Sequence, residues 1–111
     1  MKTISAVAAL GALAHETRLE VFRLLVRAGA EGLAVGKIAD ALGVEANGRL
    51  SFHLKELVGS GLVSFRQEGR FIYYSTNYPA MSELLHFLTE DCCGGLACSE
   101  IVEVCDQEAR T

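Results

Sequence analysis

The stretch LAVGKIADALGVEANGRLSFHLKELVGSGLV, residues 33–63, holds two helical patterns separated by a tight turn. From about Val35 to Leu42 the apolar residues Ile38, Ala41 and Leu42 fall together at helical spacing. Gly43-Val44-Glu45 interrupts that pattern. A second helix begins near Ala46 or Asn47 and runs to about Ser60, with Leu50, Leu54 and Leu57 as its buried stripe. Gly61 ends it, and there the period changes from helical to two. Leu62, Ser64 and Arg66 alternate with Val63, Phe65 and Gln67, and Phe71–Thr76 is rich in β-formers. Glu68-Gly69, between the two runs, is the expected hairpin tip.

Upstream, Leu19, Phe22, Leu25 and Val26 line one face of a helix from Glu16 to about Arg27, which residues 28–32 break. Further back, Ile4, Val7, Ala8 and Gly11 fall at i, i+3, i+4 and i+7, so residues 4–14 read as a helix whose small side chains suit close packing against a partner helix. The same residues imitate a short secretory signal ending in Ala12-Leu13-Ala14, but the leader carries one charge, Lys2, and is too short to span a membrane. Downstream, Pro79 suits a first helical turn, and a last helix runs from about Ala80 to Glu90 with Met81, Leu84, Leu85 and Leu88 on one face. The expected fold is mainly α with a small β-hairpin. Two short helices joined by a turn and followed by a hairpin are the parts of a winged helix-turn-helix.

In that arrangement the second helix of the pair enters the major groove, and its exposed face must carry donors and acceptors. Here it offers Asn47, Arg49, Ser51, His53 and Lys55 around its leucines. Asn47, Ser51 and Lys55 follow one another at one-turn spacing. Arg66 and Arg70 flank the hairpin tip, where phosphates of adjacent backbone are expected. Each polar residue singly is equally at home on a solvated helix face; the ordered set of elements favours nucleic acid.

A chain of 111 residues, half of them apolar, is sized for one domain with a small core, of the kind often extended by pairing with a second copy. Its formal net charge of -4 conceals an uneven distribution. Residues 1–81 hold nine Lys/Arg against seven Asp/Glu, whereas residues 82–111 hold one against seven. All four cysteines, Cys92, Cys93, Cys98 and Cys105, also fall in that acidic end. The expected organisation is a DNA-binding and dimerisation domain over residues 1–91 and a cysteine-bearing sensing tail over residues 92–111.

Thiolates select soft ions over hard ones. Cys92, Cys93 and Cys98, with Gly94-Gly95 to let the chain fold back, form a three-thiolate set suited to As(III) or Sb(III). Adding Cys105 makes a four-sulfur set suited to Zn(II) or Cd(II). A disulfide is the competing reading, and a reducing cytoplasm, the expected location, opposes it.

The run AHETRL from Ala14 to Leu19, the run SFHLKELVGSGLV from Ser51 to Val63, and Glu68-Gly69-Arg70 resemble the ArsR/SmtB metal-sensing repressors over roughly residues 5–90. That resemblance implies a homodimer formed through the first and last helices, bound to operator DNA without metal and released when metal binds. It places Ser51 and His53 at recognition-helix positions and Arg70 in the wing. Many arsenic sensors of the family carry their thiols on the first helix of the pair, where this chain has Ala34 and Gly36. A subset instead carries a vicinal pair and a third cysteine after the last helix, and the resemblance to it places the site at Cys92, Cys93 and Cys98. The family's zinc site on the last helix would have only Glu83 and His86 here, too few ligands.

The expected function is an arsenite-responsive transcriptional repressor, with As(III), or Sb(III), as inducer and no organic cofactor. Its partners are double-stranded operator DNA and a second copy, with no membrane. The alternatives are a redox-sensing repressor of the same fold, a Zn(II)/Cd(II) sensor using all four cysteines, and a metal carrier that uses the tail alone. An enzyme is not expected, since no Ser/His/Asp arrangement, phosphate-cradling loop or paired carboxylates appear, and His15, His53 and His86 lie in unrelated elements.

Overall fold

In the computed structural model, which describes residues 1–91, the stretch quoted above folds as the helix pair its periodicity predicts. Helix α1 spans Thr3–Leu13 and α2 spans Glu16–Ala28; strand β1, Leu33–Ala34, leads directly into α3, Val35–Leu42. Helix α4 spans Gly48–Gly59, strands β2 and β3 span Val63–Glu68 and Phe71–Thr76, and α5 spans Tyr78–Thr89. The sheet is antiparallel in the order β1-β3-β2, with Leu33 opposite Tyr74 and Val63 opposite Thr76. The wing is therefore three-stranded, not the two-stranded hairpin expected. Strand β1 is two residues long, too short for an alternating pattern to register, and only its pairing with β3 defines it.

The core forms where α2, α3 and α4 meet the base of the wing. Val21, Leu25, Ile38, Leu54, Leu57 and Leu62 are fully buried there. Each such side chain contributes about 1.5–3 kcal/mol over an exposed one. Several helix faces differ from expectation. Leu19 is 43% exposed while Val21 is buried, and Ala39 is buried in place of Ala41. These helices meet partners on two sides, which widens and rotates the apolar stripe beyond one seam. In α1, Ala6, Ala9 and Ala12 form the inward face. Ile4, Val7 and Leu10 point away from the protomer, as do Leu85 and Leu88 of α5, which packs beside α1.

The turn between α3 and α4 starts at Gly43, whose left-handed φ of 68° closes α3, and it continues to Asn47, longer than the three or four residues expected. The wing tip is Gly69-Arg70, one residue on from the expected Glu68-Gly69, because Glu68 pairs with Phe71. Gly69 has a φ of 63°, as the first central position of a two-residue II′ hairpin favours. That shift puts Arg70 at the tip itself. Among the described residues, no helix is long and apolar enough to cross a membrane.

Candidate nucleic-acid interface

Helix α4 begins with its free amides capped. The Asn47 side-chain oxygen accepts from the backbone N–H of Arg49 at 3.0 Å and of Leu50 at 3.3 Å. Such a cap contributes about 1 kcal/mol to the helix. Its oxygen is thus engaged in holding the first turn. Leu50, His53, Leu54 and Leu57 face the core, which leaves Arg49, Ser51, Phe52 and Lys55 exposed along the outer side. Ser51 and Lys55 keep the one-turn spacing expected of a reading face.

Between that face and the wing lies an open cleft of about 710 Å³, bordered by the start of α3, by Ser51 and by residues 70–74. It brings Ser51 of α4, Arg70 of the wing tip and Lys37 of α3 to one concave surface. Ser51 can donate and accept at a base edge or phosphate, and the two cations share the cleft with it. Lys37 escaped sequence reasoning, which looked for contacts on the second helix. The first helix of such a pair crosses the backbone, and a lysine in its first turn was the available signal. Asn47, Arg49 and His53 border a smaller cleft of about 240 Å³ with Thr17 and Glu45.

Two of the expected contacts are already engaged by other groups of the protein. Arg66 donates to the Glu31 carbonyl at 2.7 Å and to the Glu68 carboxylate at 2.9 Å, and lies over the Tyr73 ring at 4.9 Å. It fastens the loop before β1 to the wing rather than standing ready for phosphate. His53 is 7% exposed instead of facing a groove. Its Nδ1 accepts from Arg18 Nε of α2 at 3.1 Å, and the His15 ring lies 4.5 Å away, centroid to centroid. The i+3 step from Leu50 carries His53 round to the buried stripe, where its polar atom needs a partner. Arg18, the partner, lies 35 positions away in the chain and gave no sequence signal.

Burial lowers the His53 pKa below its ordinary value of 6.5, and the positive neighbours His15, Arg18 and Arg49 lower it further. The unfolded chain therefore takes up this proton first. The stability His53 contributes is full above about pH 6.5 and is lost as the pH falls below that towards the folded-state value. Denaturant unfolding should show a falling midpoint from pH 7 to 5.5, with a shallower fall in His53→Asn. Equal slopes in the two proteins would refute this.

The thiol site expected at Cys92, Cys93 and Cys98, with Cys105, lies outside the described residues. Among the described residues no group of three or more His, Cys, Asp or Glu side chains is placed to hold a metal ion, Glu83 and His86 of α5 included.

A helix-turn-helix domain family matches residues 13–64. The transcriptional activator HlyU of Vibrio cholerae is 38% identical over 86 residues, 75% of this chain and 76% of that protein. Its solved structure superposes with a TM-score of 0.61 at 34% identity, covering 79% of this chain and 97% of that one. The nodulation protein NolR of Rhizobium meliloti is 36% identical over 81 residues, 73% of this chain, and the match spans 63% of NolR's own length. The solution structure of the Mycobacterium bovis fragment Mb0332, described as a homodimeric winged helix-turn-helix DNA-binding domain of a possible ArsR-family regulator, has a TM-score of 0.62 at 27% identity, covering 78% of this chain and 80% of that one.

Proposed function

The chain belongs to the ArsR/HlyU family of winged helix-turn-helix transcriptional regulators, and from that premise we propose that it is an arsenite-responsive repressor acting in the cytoplasm as a homodimer. The observation that carries the DNA-binding half is the convergence of Ser51, Lys37 and Arg70 on one cleft. Ser51 and Lys55, with Arg49 at the start of the helix, meet the major groove, while Lys37 and Arg70 hold phosphates on either side. The exposed apolar residues Ile4, Val7, Leu85 and Leu88 of α1 and α5 supply the self-complementary face of the dimer. A dimer places two copies of α4 in successive grooves, about 34–36 Å apart.

The inducer half rests on thiol chemistry alone. Four cysteines within residues 92–105 are a dense soft-ligand set. As(III) or Sb(III) captured by Cys92, Cys93 and Cys98, which follow α5 directly, would act on the dimer helices and shift the spacing of the two reading helices. Coupling of this kind is typically about 1–3 kcal/mol, or roughly 5- to 150-fold in affinity. HlyU is named as a transcriptional activator and NolR as a nodulation protein, so kinship supports the regulator and not its inducer.

The test uses a duplex from the gene's own promoter and follows binding by fluorescence anisotropy. Binding should weaken steeply with salt, as phosphate contacts release counterions. Arsenite should release the wild-type protein and leave the Cys92/Cys93/Cys98→Ser triple variant bound. Release of the triple variant by arsenite would overturn the assignment. Release of the wild type by mild peroxide, but not by arsenite, would make it a redox sensor.

A further inference from the structure

Arg18 and His53 sit in different helices, yet one hydrogen bond joins them within the fold, and contact with DNA gives that bond no role. We propose that this pair positions the recognition helix, and that acid releases it: neutral His53 ties α4 to the start of α2, and its protonation unties them and weakens operator binding. The inference rests on the operator-binding reading above.

The donor and acceptor set requires a neutral ring. Arg18 can only donate, so His53 Nδ1 must offer a lone pair, at 3.1 Å. An imidazolium has two N–H groups and no acceptor, so protonation would leave Arg18 Nε facing a second donor of like charge. The surroundings give that charge little relief. His15 lies against the ring, Arg18 approaches from α2, and Arg49 stands one turn back on α4. Helix α1, which packs on both α2 and α4, has no ionisable side chain. Lys37 and Asp40 of α3 border the cleft on the wing side instead, and Arg66 and Glu68 of β2 pair with each other. Glu45 borders the small cleft with His53, and it is the one carboxylate there.

Two further features surround the pair. His15 Nδ1 accepts from the Thr17 N–H at 3.2 Å and so caps α2. Arg18 also borders a groove with Glu56, and Phe52 lies under its guanidinium at 5.6 Å, so a released Arg18 has a carboxylate and a ring within its reach. Phe52 adjoins Ser51 on α4, so rearrangement here acts on the reading face.

Acid ordinarily strengthens DNA binding, because it adds positive charge. The proposal expects the opposite. For the full chain on its promoter duplex, affinity should fall about tenfold from pH 7.5 to 5.5, the effect of losing one charge-assisted hydrogen bond. His53→Asn keeps an acceptor where Nδ1 stood and should bind with a flat pH profile. Arg18→Leu should bind more weakly at pH 7.5 and also be flat, so the test survives if the asparagine variant does not fold. Wild-type affinity that holds or rises on acidification, or variants that share the wild-type profile, would overturn the proposal. Imidazole and amide NMR of the DNA-free protein separates the two readings. A neutral His53 protonated at Nε2 at pH 7, with α4 amide shifts that track its titration, supports the joint even if no promoter DNA binds, in which case the operator reading alone has failed. Amides that ignore that titration overturn the joint.

Discussion

Gly32→Ala is expected to lower the unfolding free energy by about 3 kcal/mol, the sum of a disfavoured backbone and an unavoidable clash. Gly32 has a φ of 73°, in the left-handed region. A Cβ there would run into the Tyr74 carbonyl and lie 3.0 Å from Ser75 Cβ. The first obstacle is backbone of the central strand, so no side chain can turn aside to admit the methyl group. Gly32 also leads directly into β1, whose Leu33 pairs with Tyr74, so displacement there uncouples the sheet from α3. Gly43→Ala is the control. Its φ of 68° and ψ of 32° lie in the left-handed region, but nothing lies within 4 Å of its added Cβ. It should lose only about 1 kcal/mol. Urea unfolding at one fixed protein concentration measures both, since dimerisation would otherwise shift the midpoint. Equal losses in the two variants would show that the close approach to Tyr74 does not matter.

Val7→Glu combined with Leu88→Glu is expected to give a folded monomer whose operator affinity is down by about 10²–10⁴-fold, the advantage that linking two half-site contacts confers. Val7 is 61% exposed and Leu88 53% exposed in the protomer, so charge at either position leaves the core untouched. In a dimer, by contrast, the four carboxylates would be buried against apolar side chains, which is costly without partners. Sedimentation should show a single subunit, with helix content unchanged by circular dichroism. A variant that stays dimeric at micromolar concentration would place the dimer face elsewhere. A monomer that keeps full affinity would mean that one recognition helix suffices.

The helix-turn-helix was legible because its signals are local. Leu50, Leu54 and Leu57 recur at helical spacing, Gly43 and Gly61 mark where left-handed backbone occurs, and the switch to alternation after Gly61 announces the wing. Asn47 could be read as lying at the start of α4, although its role as a cap appears only with the geometry. Ser51, Lys55 and Arg70 were read as surface polar residues of the right elements, and they lie there. His53 was read with them because periodicity treats polar residues as outward. It faces inward since a buried imidazole is tolerable once a partner is supplied, and that partner comes from another helix. Arg66 misled for the same reason: three partners from Glu31, Glu68 and Tyr73 were invisible in a linear pattern.

The order and type of the elements could be read from the chain alone, since hydrophobic period and turn chemistry act between residues a few positions apart. The sequence also located the acidic, thiol-bearing end, which composition alone reveals. Packing settled which polar side chains meet a partner: it turned His53 inward, tied the exposed Arg66 to Glu31 and Glu68, set Arg70 at the wing tip, and added Lys37 to Ser51's cleft. Those outcomes depend on contacts between groups as many as 35 residues apart, and their geometry exists only once the helices have packed.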